Sequence, residues 1–291
     1  MINWPDILVE DIAKRHCIVY LGSGVSHNSV NDAGVHPMTW KAFLEYGASL
    51  SVLSNQQKKE ISKNIKKEDF LLSCELLRTF LGEHSFYDLM GRCYRDPQFK
   101  SAEIHQHIFS LDTKIVVTPN FDQIYEGYAM RESNNSVITK NYYDNDLANF
   151  IRHPQRLILK LHGNINTPNK MIFTQSDYAK ARTQYADFYQ LLNALIATQT
   201  FLFLGAGLND PDIRLLLENY AFQYQFSSCH FFVIPKKQLS EDEMSIYEKS
   251  LNVKFITYSS ADNHRELTES LNELVSIVEA KRIKIAGTLG W

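Results

Sequence analysis

Four short segments of the chain place glycines or reactive polar side chains directly after apolar runs. The first, LGSGVS, carries Gly22, Ser23, Gly24 and Ser26. Glycines here let the backbone approach a phosphate, a following helix supplies free N–H groups, and the serine hydroxyls are further donors. The dinucleotide-binding pattern G-x-G-x-x-G is incomplete, because His27 stands at its third glycine. The segment is typical either of a nucleotide-binding turn or of an ordinary tight turn.

The second and third segments could supply hydrogen bonds and proton transfer. Thr118, Asn120 and Asp122 follow the apolar run KIVV, and His162 and Gly163 follow LILKL. An imidazole has an ordinary pKa of about 6.5, so it can act as a general base at neutral pH. Two alternatives remain open: a capped turn at a helix start for the first group, and a structural histidine for the second.

The fourth segment is another glycine turn that leads into a helix. Gly205 and Gly207 permit close approach of a ribose or phosphate. Asp210 is the predicted N-cap of a helix that begins at Pro211, where proline is well tolerated. Asp212 is interpreted as a further capping residue of this helix.

All four segments depend on strands to position them. Six apolar runs are mostly continuous rather than alternating, which is typical of strands buried on both faces of a parallel sheet. These runs are 17–21, 114–118, 157–161, 201–204, 230–234 and 253–258. Helical patterns at 184–198, 211–225 and 264–282 separate several of them, and a short strand is predicted around 137–140. We therefore expect an α/β fold with a doubly wound, mostly parallel, Rossmann-like sheet. The four segments would meet at its carboxyl edge.

One stretch interrupts the alternation of strands and helices. Residues 39–110 contain no convincing strand, and Thr39 and Ser54 are plausible helix N-caps. We predict a helical module inserted into a single domain that spans residues 1–291. The lysine-rich stretch 55–67 is interpreted as a solvated helix face.

Composition excludes several classes of protein. The 291 residues are 44% hydrophobic and 22% charged with a formal charge of −3, so a disordered chain is excluded and no nucleic-acid ligand is predicted. No secretory signal and no apolar run of about 18 residues is visible, which predicts a cytoplasmic protein without membrane contact. Four scattered cysteines form no C-x-x-C pair, so neither a disulfide framework nor a metal is predicted.

In their order, the four segments resemble the sirtuin family, and more closely its bacterial sirtuin-like NAD-hydrolase branch. The resemblance spans about residues 17–260, with a looser match at 34–37, and the tail 208–212 is similar to that branch. The matching motifs are Gly-x-Gly-hydrophobic-Ser at 22–26, Thr-x-Asn-x-Asp at 118–122, His-Gly at 162–163 and the glycine turn at 205–207.

Two departures separate the chain from protein-deacylating sirtuins. It lacks the two C-x-x-C pairs of their zinc module, and Met38-Thr39-Trp40 stands where they carry Asp-Phe-Arg. Trp40 could offer an aromatic face near the nicotinamide or could be a core residue at a helix start. Both departures favour a cleft that admits water as the acceptor.

The resemblance implies cleavage of the nicotinamide–ribose bond of NAD in anti-phage defence. It implies that Asn120 positions the ribose and the attacking water and that His162 is the general base. Asp122 would orient Asn120. The other residues implied to contact the substrate are Gly22, Ser23, Gly24 and Ser26 at the pyrophosphate, Gly205 and Gly207 at the adenosine side, and Trp40, Thr118, Gly163 and Asp210. A deacylase, an ADP-ribosyltransferase and a non-catalytic sensor of NAD or ADP-ribose remain alternatives.

Partners are implied by the resemblance alone. Proteins of this branch commonly act with an associated protein, such as an ATPase translocase or an Argonaute-like protein. We therefore expect a homo-oligomer with a separate sensor or activator subunit.

Overall fold

The computed structural model describes residues 1–208, 210–224 and 227–288. The chain begins with α1 (Asp6–Ala13), β1 (Cys17–Leu21) and the short α2 (Ser23–Ser26). Five helices follow: α3 (Trp40–Ser49), α4 (Asn55–Lys66), α5 (Phe70–Leu81), α6 (Glu83–Tyr94) and α7 (Glu103–Ser110). Strands and helices then alternate as β2 (Ile115–Thr118), α8 (Ile124–Glu132), β3 (Ile138–Asn141), α9 (Leu147–Arg152), β4 (Leu157–Lys160), α10 (Gln175–Gln184), α11 (Ala186–Thr198), β5 (Thr200–Leu204), α12 (Pro211–Gln223), β6 (His230–Pro235), α13 (Glu241–Leu251), β7 (Val253–Tyr258) and α14 (Ala261–Ala286).

Within the described residues, seven strands form one sheet in the order β3-β4-β2-β1-β5-β6-β7. Every adjacent pair is parallel. The chain leaves β1 toward β2 on one side and later returns to β5 on the other, so the strand order reverses between β1 and β5. In open α/β sheets this reversal is where ligands bind. The predicted α/β, Rossmann-like fold is confirmed.

Alternate residues of the strands pack under two different helix layers. Val19 and Leu21 of β1 belong to a core that includes residues of α1, α7 and α14. Ile18 and Tyr20 of the same strand belong to a second core that includes residues of α11 and α12. Because both faces of the strand are covered, its sequence is apolar without alternation.

The predicted element bounds agree with the structure to within one residue for most strands. Both β1 and β7 have the predicted bounds, and the short strand predicted at 137–140 is β3. The helix predicted at 184–198 is α11, which a break at Tyr185 separates from α10. The helix predicted at 211–225 ends at Gln223, and Gln225 lies outside the described residues.

The stretch between β1 and β2 is helical, as its sequence predicts. Helices α3 to α6 pack around a third core that includes Phe43, Leu77 and Phe86, and the segment after β4 contributes Phe173 to it. Thr39 and Ser54 cap α3 and α4, as predicted. Helix α7 packs on the sheet instead, since Ile104 belongs to the core under α1 and α14. The division into one domain with an insertion at 39–110 stays a prediction.

No helix in the described part of the chain is both long and apolar enough to cross a bilayer.

Candidate active site

The carboxyl ends of β1, β2, β4 and β5 open onto one cleft of about 280 Å³, facing helices of the inserted stretch. Nine of the predicted site residues line it. They are Gly22, Ser23, Ser26, Trp40, Asn120, Asp122, His162, Gly207 and Asp210. The other four, Gly24, Thr118, Gly163 and Gly205, lie behind its wall and do not line it.

The two glycine turns pack against each other. The N–H of Gly22 donates to the carbonyl of Leu204 at 2.9 Å, and the N–H of Gly24 donates to that of Gly205 at 2.9 Å. A Cβ on Gly22 would lie 2.3 Å from the Gly205 oxygen, and Gly205 itself has φ +59°. These two N–H groups join the turns, which only glycine lets approach so closely. The contact of Gly22 and Gly24 with the pyrophosphate stays a prediction.

Hydrogen bonds orient the amide of Asn120. Its Nδ2 donates to the Gly22 carbonyl and to Ser26 Oγ, both at 3.0 Å. Ser26 Oγ in turn donates to Asp122 Oδ2 at 2.8 Å. Since both amide protons are used, Oδ1 of Asn120 is left to accept a bond from a ligand in the cleft. Asp122 therefore acts on Asn120 through Ser26.

Ser26 links the side chains of Asn120 and Asp122. A serine hydroxyl has a single proton, and that of Ser26 is given to Asp122. In this arrangement the hydroxyl proton of Ser26 is used within the protein, and its contact with the pyrophosphate stays a prediction. Ser23 lines the cleft beside it and keeps its prediction as a substrate-binding residue.

Thr118 and Gly163 support the site from behind. Thr118 Oγ1 donates to the Leu21 carbonyl at 2.7 Å and accepts from the N–H of Asn120 at 3.1 Å, which ties the ends of β1 and β2 together. Gly163 has φ +82°, and a Cβ there would lie 2.5 Å from the Lys170 oxygen. Both residues therefore support the site, and their predicted contact with the substrate stays a prediction.

A buried ion pair lies under the turn that carries Asn120. It was not predicted from the sequence. Lys160 ends β4 with 0% exposure, and its Nζ contacts Glu126 Oε1 of α8 at 2.5 Å. The same ammonium donates to the Asp122 carbonyl. Burial raises the pKa of Glu126 against the attraction of Lys160. The only sequence signal was a lysine inside the apolar run LILKL.

His162 lies between charged and phenolic groups. Its Nε2 is 3.4 Å from Asp212 Oδ2 and 4.0 Å from Asp210 Oδ2, and its Nδ1 is 3.5 Å from the Tyr178 hydroxyl. Burial by itself would lower the pKa of His162, but the two carboxylates outweigh burial and the pKa is raised. The imidazole can therefore hold a proton although it is buried.

The two carboxylates beside His162 have different partners. Asp210 caps α12 as predicted, since its Oδ1 accepts from the N–H of Asp212 at 2.9 Å. Asp212 is not a cap, which corrects its interpretation. Its Oδ1 accepts from Arg182 Nε and Nη2 at 2.9 and 2.7 Å, and its Oδ2 accepts from the Tyr189 hydroxyl at 2.9 Å. Neither Arg182 nor Tyr189 carried a sequence signal.

Trp40 packs among other side chains at the start of α3 and also lines the cleft. Its Nε1 donates to Cys74 Sγ at 3.0 Å, and its ring centroid lies 5.8 Å from that of Phe70 and 5.6 Å from that of Phe173. The same ring lines the cleft. Contact with nicotinamide stays a prediction, and the aromatic wall is suited to a planar ring.

Fold and site together define a Rossmann-like α/β protein whose ligand cleft lies at the switch point of the sheet. A family model described as SIR2-like domain matches residues 114–258. Residues 114–258 are thus similar to the SIR2-like family, and the sirtuin-like resemblance is confirmed. The matched range includes Asn120 and His162 but not the first glycine turn.

Several proteins are similar over most of the chain. NAD(+) hydrolase ThsA of Acinetobacter baumannii (strain 532279) is 22% identical over 299 residues, covering 97% of this chain and 58% of that protein. NAD(+) hydrolase ThsA of Bacillus cereus (strain MSX-D12) is 21% identical, covering 96% and 58%. Defense-associated sirtuin 2 of Bacillus subtilis is 25% identical, covering 89% and 25%. The chain thus spans 58% of the length of these two hydrolases.

Proposed function

We propose that this chain hydrolyses NAD to nicotinamide and ADP-ribose. The observation that carries the proposal is the meeting of Asn120 and His162 in one cleft at the switch point, with the amide of Asn120 already oriented. The names of the similar hydrolases support the choice of NAD as the substrate. A dehydrogenase is disfavoured by the incomplete glycine fingerprint at His27.

In the proposed reaction, the bond between C1′ of the ribose and the pyridinium nitrogen breaks. Its electron pair goes to that nitrogen, so nicotinamide leaves as a neutral molecule and needs no proton. Water adds to C1′ and loses one proton, which His162 accepts and later returns to solvent. The Oδ1 of Asn120 accepts a hydrogen bond from the water or a ribose hydroxyl, which orients the nucleophile.

Charge in the cleft fits this reaction. Cleavage develops positive charge on the ribose, and Asp210 contributes a carboxyl group to the cleft wall. Fixed negative groups near developing positive charge lower the barrier, since they need no reorganisation during the reaction. Gly207 and Ser23 line the remaining polar wall and are proposed to contact the adenosine and pyrophosphate parts.

The experiment is to incubate the purified chain with NAD and to measure nicotinamide and ADP-ribose by chromatography. We expect Asn120→Ala and His162→Ala each to lower kcat by about 100-fold or more. Asn272→Ala and His84→Ala, at exposed positions outside the cleft, are matched controls that should retain the wild-type rate. Equal rates for wild type and the two cleft variants would refute the proposal.

Two further arms separate the alternatives. Loss of an acyl group from an acylated lysine peptide, or transfer of ADP-ribose to a protein, would indicate a deacylase or a transferase. Tight binding of NAD without turnover would indicate a sensor.

The proposal extends to a cytoplasmic role in anti-phage defence, in a homo-oligomer that acts with a separate sensor or activator protein. The name of Defense-associated sirtuin 2 supports the defence role. Mass measurement in solution, together with NAD turnover by the chain alone, tests the assembly. A monomer that hydrolyses NAD at full rate unaided would refute this extension.

A further inference from the structure

Asp212 has more partners than a residue in the first turn of a helix needs. Arg182 of α10 binds one carboxylate oxygen through two nitrogens, and Tyr189 of α11 binds the other. The side chain of Asp212 is only 4% exposed. Two other helices thus hold a buried carboxylate in one orientation, a charge-assisted arrangement that is costly to build without a role.

The oxygen of this carboxylate that accepts from Tyr189 also faces His162. Oδ2 of Asp212 lies 3.4 Å from His162 Nε2, at ion-pair distance. Among the described residues, Nε2 of His162 is a buried nitrogen without a hydrogen-bond partner. The ring edge of Tyr178 packs on the imidazole, with centroids 5.0 Å apart and an interplanar angle of 71°. The imidazole is therefore confined on one side by an aromatic ring and on another by a carboxylate.

We propose that Asp212, held by Arg182 and Tyr189, is a positioning residue that sets the orientation and the proton affinity of His162. The inference rests on the proposed function for its catalytic meaning, but the coupling between the two side chains is independent of any activity. Asp212 contacts no substrate in this account. It acts through the imidazole.

The charges around His162 give the coupling a definite sign. Asp210 and Asp212 at the start of α12 favour the imidazolium, whereas Arg182 on α10 opposes it. Among the described residues, the phenols of Tyr178 on α10 and Tyr20 on β1 line the same cleft, and burial raises the pKa of both, so both are neutral near pH 7. Removing the negative charge of Asp212 should therefore lower the pKa of His162, and removing the positive charge of Arg182 should raise it.

The first experiment follows the titration of His162 by NMR in protein with labelled histidine, with the signal assigned by its loss in His162→Gln. We expect the pKa of His162 to fall by about one unit in Asp212→Asn and to rise in Arg182→Gln. Opposite shifts would not arise from general loosening of the cleft. An unchanged titration in folded Asp212→Asn refutes the inference, whether or not the chain hydrolyses NAD.

The second experiment uses NAD turnover. Asp212→Asn should lower the plateau of kcat by about 10- to 100-fold and move the acidic limb of the pH profile of kcat/KM to lower pH. Arg214→Gln, which breaks an exposed pair with Glu218 on the same helix, is the matched control and should change neither. If Asp212→Asn fails to fold, Tyr189→Phe removes one bond to the same carboxylate, and an unchanged His162 titration in that variant counts against the inference.

Wild-type activity separates the two proposals. If the wild type does not turn over NAD but the titrations shift as expected, the proposed function fails and the coupling stands. If the wild type is active and both the titration and the pH profile are insensitive to Asp212, the coupling fails and the proposed function stands.

Discussion

His162 and His230 are two buried histidines at opposite edges of the same sheet. His162 follows β4 at the carboxyl edge, and His230 begins β6 at the amino edge. They are 3% and 2% exposed, respectively. In the described part of the chain, Nε2 of each ring has no hydrogen-bond partner. Burial is therefore nearly equal, and only the surroundings differ.

The surroundings push the two pKa values in opposite directions. His230 Nδ1 accepts from the N–H of Phe201 at 3.1 Å, and burial alone lowers its pKa to about 4. His162 is equally buried, but Asp210 and Asp212 raise its pKa. His230 at the amino edge is thus a neutral core residue, whereas His162 at the carboxyl edge can exchange a proton. The difference supports locating the chemistry at the carboxyl edge.

The largest expected effect on stability concerns Lys160, a third buried basic side chain, whose partner is the carboxylate of Glu126. Lys160→Met should lower the free energy of unfolding by about 3–5 kcal/mol, because it leaves Glu126 buried without its cation. Urea denaturation at pH 7 measures the loss. The double variant Lys160→Met/Glu126→Leu should recover most of it, since no charge is then stranded. A loss below about 1 kcal/mol in the single variant would contradict the role of the pair.

The next effect tests His230 through the pH dependence of stability. Between pH 6.5 and about 4 the unfolded state binds a proton that the native imidazole does not, so stability falls as the pH falls. A shift from 6.5 to about 4 corresponds to about 3 kcal/mol lost by pH 4. His230→Gln, which keeps an acceptor for Phe201, should remove this part of the acid sensitivity.

Urea denaturation at several pH values compares His230→Gln with the wild type. His162 has the opposite sign: its raised pKa stabilises the native state below about pH 6.5, and this stabilisation is lost as the pH rises through the native pKa. If His230→Gln and wild type lose stability equally on acidification, burial does not control His230 as inferred.

The smallest expected effect on stability concerns Ser26, whose hydroxyl hydrogen bonds to Asn120 and Asp122 contrast with the ion pairs around His162. Ser26→Ala leaves Asn120 and Asp122 without their shared partner, which should cost about 1–3 kcal/mol. Under the proposed function, kcat should also fall by about tenfold, because Asn120 is less firmly oriented. Thermal unfolding and NAD turnover measure the two effects.

Ser29→Ala is the matched control for Ser26→Ala. Ser29 is equally enclosed, but its Oγ has no hydrogen-bond partner among the described residues. Its removal should change stability and turnover little. Equal behaviour of the two variants would show that the link from Asp122 to Asn120 has no role.

Local patterns in the sequence were sufficient for the fold. The runs that became β1 and β7 have the bounds read from their apolar residues, because strands covered on both faces must be apolar throughout. Polar residues directly after such runs, including Asn120 and His162, had to meet at the carboxyl edge once the strands were parallel. The Asp210 cap was also predictable, since a cap depends on neighbours within one turn.

The partners of these residues could not be predicted in the same way. Gly24 and Gly205 suggested ligand contacts because glycine allows close approach of a ligand. In the structure they pack against each other, although they lie far apart in the chain. Arg182 and Asp212 lie 30 residues apart on different helices, so no local spacing indicated their contact. Asp212 therefore looked like a helix cap.

By itself, the sequence determined the parallel sheet, the helices between β1 and β2 and the edge that carries Asn120 and His162, because each follows from hydrophobic pattern and local capping. Only the tertiary structure decided which charge faces which imidazole. A buried charge is stable only beside its partner, and that partner is brought into place by packing between elements distant in sequence. The proton affinity of His162 is therefore a property of the assembled cleft.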